Sequence, residues 1–178
     1  MTCPSLGMSN YTRPKIPGAS IFFTVNLADR SSTLLVDQID ALRDAVRTTK
    51  SERPFHSDAW VVLPNHMHMV WTLPAGDSDY STRIGAIKAR FTRGLGRVGF
   101  YPTNVPKKVG YKPTLQRTAS KIRKGDAGIW QRRFWEHHIR NETEYRAYVD
   151  YCHINPVKHG LVERPEEWPY STVHVHGV

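Results

Sequence analysis

Cysteine is nearly absent from this chain: Cys3 and Cys152 are the only two among 178 residues. Two cannot make a disulfide framework or a four-cysteine zinc site, and a reducing compartment suits such a protein. Long apolar runs are missing as well. No stretch approaches the ~20 apolar residues of a bilayer span, and the first 20 residues, MTCPSLGMSNYTRPKIPGAS, hold no apolar segment of a secretory signal. No membrane partner and a cytoplasmic location are therefore expected. Internal repeats are lacking too. Acidic residues are scarce in one region only. From Arg83 to Arg133 there are 14 Lys/Arg and a single acid, Asp126, whereas the remainder carries 11 basic against 15 acidic residues. The overall charge of +9 is thus regional. A basic region of this kind is the footprint of a polyanion partner, because Lys and Arg set against phosphates release condensed counterions. The bland alternative is a solvated basic loop.

What is present fits one globular domain, since 178 residues with 39% apolar content can bury a modest core. SIFFTVNL, residues 20–27, is rich in β-branched and aromatic residues and predicts a strand. Residues 36–49 place Ile39, Leu42 and Val46 at helical spacing after the candidate cap Asp37. HSDAWVVL (56–63) and HMHMVWTL (66–73), joined by Pro64-Asn65, predict a hairpin. A basic amphipathic helix follows over 81–93. Residues 94–128 break the periodicity with Gly94, Gly96, Gly99, Gly110, Pro102, Pro106 and Pro113, and predict a basic flexible insertion. Strand character resumes over 129–140. A helix over 141–154 then starts at the N-cap Asn141, with Glu144 as its capping-box partner. The order β-α-β-β-α-β-α is the split βαβ, ferredoxin-like arrangement of the α+β class, an antiparallel sheet with helices on one face, plus a C-terminal helix. Residues 165–178 are read as a C-terminal tail, with Trp168 as the clamp that seats it.

The run VVLPNHMHMVWTLP, residues 61–74, carries the chemistry. His66 and His68 are two apart in a strand, so both imidazoles point to one face. Two polar rings on one face of an apolar strand suggest a metal ion, with a metal-free hydrogen-bonded pair as the plain alternative. In the last helix, Tyr145, Val149 and Cys152 share the core-facing stripe, with Tyr148 at its edge, while Tyr151 falls on a flank roughly 110° away. Asn155 lies one turn beyond Tyr151. A phenol, of ordinary pKa ~10, can act as a covalent nucleophile once its proton is lost or offset. Two neutral imidazoles and an amide oxygen supply three metal ligands without negative charge, leaving positions for phosphate oxygens. Tyr148 stays open as a rival nucleophile, and Asn155, which precedes Pro156, as a simple helix terminator.

The HMH pair resembles the HUH motif (histidine, bulky hydrophobic, histidine). The run YRAYVDYCHINPVKHGLVERPEEWPYST, 145–172, is similar to the C-terminal signature of the REP-associated tyrosine transposases, relatives of single-tyrosine insertion-sequence transposases. The resemblance spans most of the chain: RPKIPGASIFFTVNL, WVVLPNHMHMVWTLP, IWQRRFWEHHIRN, NPVKHGLV and WPYST stand in the expected order. It implies a metal-dependent endonuclease and strand transferase on single-stranded DNA next to REP-type palindromic hairpins, forming a 5′-phosphotyrosine and releasing a 3′-hydroxyl. By motif, Tyr151 is the nucleophile and His66, His68 and Asn155 are ligands of Mg²⁺ or Mn²⁺; ligand preference alone would also suit zinc. The resemblance places the protein with the nucleoid, working as a monomer, with a dimer as the alternative.

DNA contacts are expected from several patches. Arg13 and Lys15 match the N-terminal segment (1–19) that reads a short sequence at the hairpin foot, where the family's double glycine is here Gly18-Ala19. Lys88, Arg90 and Arg93 are read as a basic helix face, Arg132 and Arg133 as a second contact, and 107–124 as a phosphate clamp. Phe134, Trp130 and Trp135 are stacking candidates, each stack contributing roughly 1–3 kcal/mol, with core packing the commoner role. Of His137 and His138 only one can face the site, and His138 is the candidate, against the commoner role of a satisfied sheet histidine. His174 and His176 are read as tail. Two other functions stay open: a non-cleaving hairpin-binding protein, and a metal-dependent hydrolase of another substrate.

Overall fold

The computed structural model describes residues 13–97 and 128–174. Strands β1 (Ser20–Asn26), β2 (His56–Val62), β3 (His66–Thr72) and β4 (Trp135–His138) form one sheet in the order β2-β3-β1-β4. Every neighbouring pair is antiparallel. This is the order of the ferredoxin-like split βαβ fold, as expected. Strand alternation divides the residues between two faces. Ile21, Phe23 and Val25, with Met67, Met69 and Trp71, turn to one face and pack with Leu42, Ile84, Ile87 and Phe91 of helices α2 (Ile39–Glu52) and α3 (Tyr80–Arg97). Burying each such side chain contributes about 1.5–3 kcal/mol. Phe22, Ala59, Val61 and Val70 turn to the other face, where Tyr145, Tyr148, Val149, Tyr151 and Cys152 of helix α4 (Glu142–Lys158) cover them. The C-terminal helix therefore occupies the face opposite α2 and α3.

Several boundaries differ from expectation. The helix expected over 36–49 is broken: a single turn, α1 (Leu34–Asp37), is followed by α2, with Gln38 at φ −119° between them. Asp37 therefore caps nothing; it accepts a 2.6 Å hydrogen bond from Thr33 Oγ1. Helix α3 runs to Arg97, so the first residues assigned to the insertion are helical, and 98–127, including the 107–124 clamp, lies outside the described residues. Of the strand expected over 129–140 only Trp135–His138 forms, preceded by an isolated Leu27–Trp130 bridge. Helix α4 begins as expected, with Asn141 Oδ1 accepting from the Glu144 amide at 2.9 Å, but the Glu144 carboxylate accepts from the Arg140 amide, one residue before the cap.

That helix also runs past Pro156, so Asn155 does not terminate it. It ends in a Schellman stop: the Gly160 amide donates to Val157 and the Leu161 amide to Pro156, with Gly160 at φ +65°. The C-terminal segment returns along β2. Trp168 Nε1 donates to the Val62 carbonyl at 2.9 Å, Val62 N donates to Tyr170, and Val61 bridges Ser171, which covers an edge strand that would otherwise expose unpaired backbone.

Candidate DNA-cleavage site

The site forms where the α4 face of β3 meets the last turns of α4. His66 and His68 emerge on that face, their ring centroids 4.9 Å apart and nearly perpendicular. Each has its Nδ1 engaged by a neighbour. Asn65 Nδ2 donates to the Arg30 carbonyl, so Asn65 Oδ1 faces His66 Nδ1 at 2.6 Å and must accept its proton. His66 is thereby held in the tautomer with a bare Nε2, the form a metal ligand needs. His68 Nδ1 lies 2.9 Å from Thr24 Oγ1, its cross-strand partner on β1. Both imidazoles are neutral at physiological pH. Burial, then His159 and Arg30, lowers the His66 pKa to about 4. Burial, then His66 and His159, lowers that of His68 to about 3.

Tyr151 meets this pair. Its ring stands edge-on to His68 at 5.1 Å and to Phe22 at 5.7 Å, with Lys158 Nζ 4.7 Å from its centroid. The other two tyrosines of α4 are occupied differently. Tyr145 donates to the buried Asp58 carboxylate at 2.9 Å, and burial with that bond pushes its pKa up to about 12. Tyr148 stacks on Phe22 at 4.6 Å, and burial followed by the charge of Glu144 raises its pKa. Both surrender a proton less readily than a free phenol, which disfavours Tyr148 as the rival nucleophile.

Asn155 is 1% exposed. Its Nδ2 donates to the Tyr151 carbonyl at 3.4 Å, while its Oδ1 is buried with no hydrogen-bond partner. An orphaned buried acceptor is rare, and calls for a donor or a cation. Among the described residues no group of three His, Cys, Asp or Glu is placed to hold a metal. The neutral donors at this end of α4 and β3 are the two imidazoles and the Asn155 amide oxygen.

Two members of this neighbourhood escaped the sequence reading. His159, the C-cap of α4, brings its ring to 5.1 Å from His66. Lys158 lies over the Tyr151 ring. The available signal was His159-Gly160: a glycine just past a helix fixes the stop and so the place of the residue before it.

The expected DNA contacts divide into two groups. Arg13 is tied inward, its Nε 3.1 Å from the buried Glu136 carboxylate and its guanidinium 3.9 Å from the Phe134 ring centroid. Lys88 donates to the Gln131 carbonyl at 2.9 Å. Arg90 bonds Thr49 and Glu52 of α2. Lys88, Arg90 and Arg93 do not form one basic face, because residues two apart on a helix point roughly 200° apart at 100° per residue. Lys15, Arg93, Arg132 and Arg133 are exposed. Of the aromatics, Trp130 is buried, Phe134 packs on the α2/α3 core, and Trp135 is 52% exposed.

Only one β4 histidine faces α4, as expected, but it is His137 and not the candidate His138, which takes the sheet position that was its commoner reading. His137, paired across the sheet with Phe22, faces α4 and lies 3.3 Å from Glu144, whereas His138 turns to the opposite face beside Tyr80. The register with β1 decides this. His174 Nε2 meets the Trp168 carbonyl at 3.1 Å, and His176 lies outside the described residues.

No family model matches the chain. Over 167 residues, 94% of this chain and 84% of the relative, it is 46% identical to the REP-associated tyrosine transposase of Escherichia coli K12. A Haemophilus influenzae relative is 40% identical over the same share of the chain and 86% of its own length. The fold is similar to the structure of a REP-associated tyrosine transposase bound to a REP hairpin, with a TM-score of 0.75 and 45% identity, covering 94% of this chain and 84% of that one. Identity at this level over 94% of the chain assigns the family: the chain belongs to the REP-associated tyrosine transposases.

Proposed function

We propose that the protein is a metal-dependent endonuclease and strand transferase acting on single-stranded DNA beside REP-type palindromic hairpins, with Tyr151 as nucleophile. The observation that carries this is the contact of the Tyr151 ring with His68, beside His66 and one turn before the orphaned Asn155 Oδ1. His66, His68 and Asn155 would hold Mg²⁺ or Mn²⁺. Such an ion, when bound, would supply neutralisation of phosphate charge and polarisation of the scissile phosphate.

The chain's own groups do the rest. The phenolic proton of Tyr151 passes to water, and the ammonium of Lys158 over the ring offsets the charge left on oxygen. The phenolate oxygen forms a bond to phosphorus as the bond from phosphorus to the 3′-oxygen breaks. The 3′-oxygen takes up a proton and leaves as hydroxyl, giving a 5′-phosphotyrosine. Attack by another 3′-hydroxyl reverses the step and joins strands. Neutral histidines suit this centre, since cationic ones would repel a metal. Tyr151 lies against His68 of the same chain, which supports the monomer as the working unit.

The test is incubation of the protein with labelled REP-type hairpins bearing single-stranded flanks and Mn²⁺, read by denaturing gel and peptide mass analysis. A DNA adduct on Tyr151, absent with EDTA and in Tyr151→Phe, is expected. Salt-dependent hairpin binding with no adduct would instead make the protein a non-cleaving binder. No single-strand binding at all would favour a hydrolase of another substrate.

A further inference from the structure

Trp135 stands apart among the described tryptophans: Trp60, Trp71 and Trp130 are buried in the α2/α3 core and Trp168 is half-buried with its indole bonded to Val62, whereas Trp135 is 52% exposed on the α4 face. Its ring lies nearly parallel to His137, at 10° and 6.0 Å between centroids, and edge-on to Phe22 at 5.7 Å. His137 is steadied by Glu144 at 3.3 Å and by the Tyr148 ring at 5.1 Å. Phe22 is the hinge of the arrangement. Tyr151 stands against the same ring at the same 5.7 Å, so the exposed indole and the phenol flank one phenylalanine. The exposed cations Arg132 and Arg133 precede this strand, with only Phe134 between.

We propose that Trp135 is the stacking platform for one unpaired base of the single strand whose phosphate reaches Tyr151. An orientation-fixed aromatic face, open to solvent and flanked by cations, suits a nucleobase that has left its pair, because every base has a π-face while a duplex buries those faces in its own stack. Arg132 and Arg133 supply the phosphate contacts on either side of that nucleotide. The platform rests on the reading of Tyr151 as the cleavage nucleophile, and it gives the site a reason to require single-stranded flank rather than duplex next to the hairpin.

The experiment is an abasic scan. In the cleavage-incapable Tyr151→Phe protein, affinities for hairpins carrying one abasic position at each flank nucleotide in turn are measured by fluorescence anisotropy. One position, or two adjacent ones, is expected to lose roughly tenfold or more in affinity. That position-specific loss disappears when Trp135→Ala is added and persists with Trp135→Phe. Trp135→Leu, which keeps apolar bulk without a π-face and guards against a simple packing defect, behaves like Ala. An abasic profile unchanged by Trp135→Ala overturns the platform, as does a uniform weakening at every position, which would mark Trp135 as a general surface contact. The two proposals separate cleanly. A Tyr151 adduct with no Trp135-dependent position sinks the platform alone, and a Trp135-dependent position with no adduct sinks the nucleophile and leaves Trp135 as a base-stacking contact of a non-cleaving binder.

Discussion

Tyr151 is distinguished from Tyr145 and Tyr148 by its company. Asp58 holds the hydroxyl of the first and Phe22 covers the ring of the second, leaving Tyr151 to meet the histidines. Tyr151→Phe is expected to reduce adduct formation by roughly 10³ or more while leaving hairpin affinity within about twofold, since nucleophile removal acts on chemistry and not on binding. Lys158→Met removes a charge 4.7 Å from the ring centroid, and adduct formation should fall by about 10²-fold. Single-turnover cleavage measures both. At the buried end of the scale, Arg83, 3% exposed, pairs with Asp77 at 2.5 Å and donates to three carbonyls. The hydrogen bond from Arg83 is the main cause holding the Asp77 pKa below its ordinary 3.8. A depressed folded-state pKa contributes stability above the unfolded value that is lost as pH falls through the folded one. Asp77→Asn should therefore cost about 1–2 kcal/mol at pH 7. In urea melts its difference from the parent should shrink as pH falls below about 4, through the depressed folded-state pKa of Asp77.

At the scale of the element, α4 is the part that makes the site. Its N-terminus was legible from Asn141 and Glu144, because a cap is a local bargain between a side chain and the orphan amides of the first turn. Its C-terminus was not. Pro156 argues locally for an earlier end, yet packing of Asn155 and Pro156 against the body and the Schellman stop carry the helix to Lys158. That extra turn is what places Lys158 over Tyr151 and His159 beside His66. Gly160 tests the point: at φ +65° a methyl would meet nothing within 4 Å, so the cost of Gly160→Ala is conformational alone, about 1 kcal/mol. Thermal melts should show that loss, and Gly160→Asn should recover much of it. Adduct formation should fall in the Ala variant as the last turn loosens.

At the scale of the whole molecule, the net charge of +9 predicts hairpin affinity that falls steeply with salt. Structure narrows which cations contribute. Arg13, Lys88 and Arg90 are tied to neighbouring groups, whereas Arg132 and Arg133 are exposed beside β4. Arg132→Ala with Arg133→Ala should make the slope of log K against log salt shallower by roughly 1.4–1.8, and Arg90→Ala should instead lower stability with little change in slope. Anisotropy titrations over a salt series give the slopes.

The sequence by itself determined the sheet, the facing pair His66 and His68, and the start of α4. These follow from period-2 alternation, period-3.6 spacing and local capping, which need only neighbours in the chain. Tertiary structure decided the rest, because it depends on which segments meet. The β1–β4 register turned His137 rather than His138 toward α4. Packing against the sheet occupied Tyr145 and Tyr148 and left Tyr151 beside His68. Contacts between residues far apart in sequence drew Arg13 to Glu136 and Arg90 to Glu52, and left Trp135 facing solvent. A charge or an aromatic ring carries no mark in sequence of whether a partner waits across the fold.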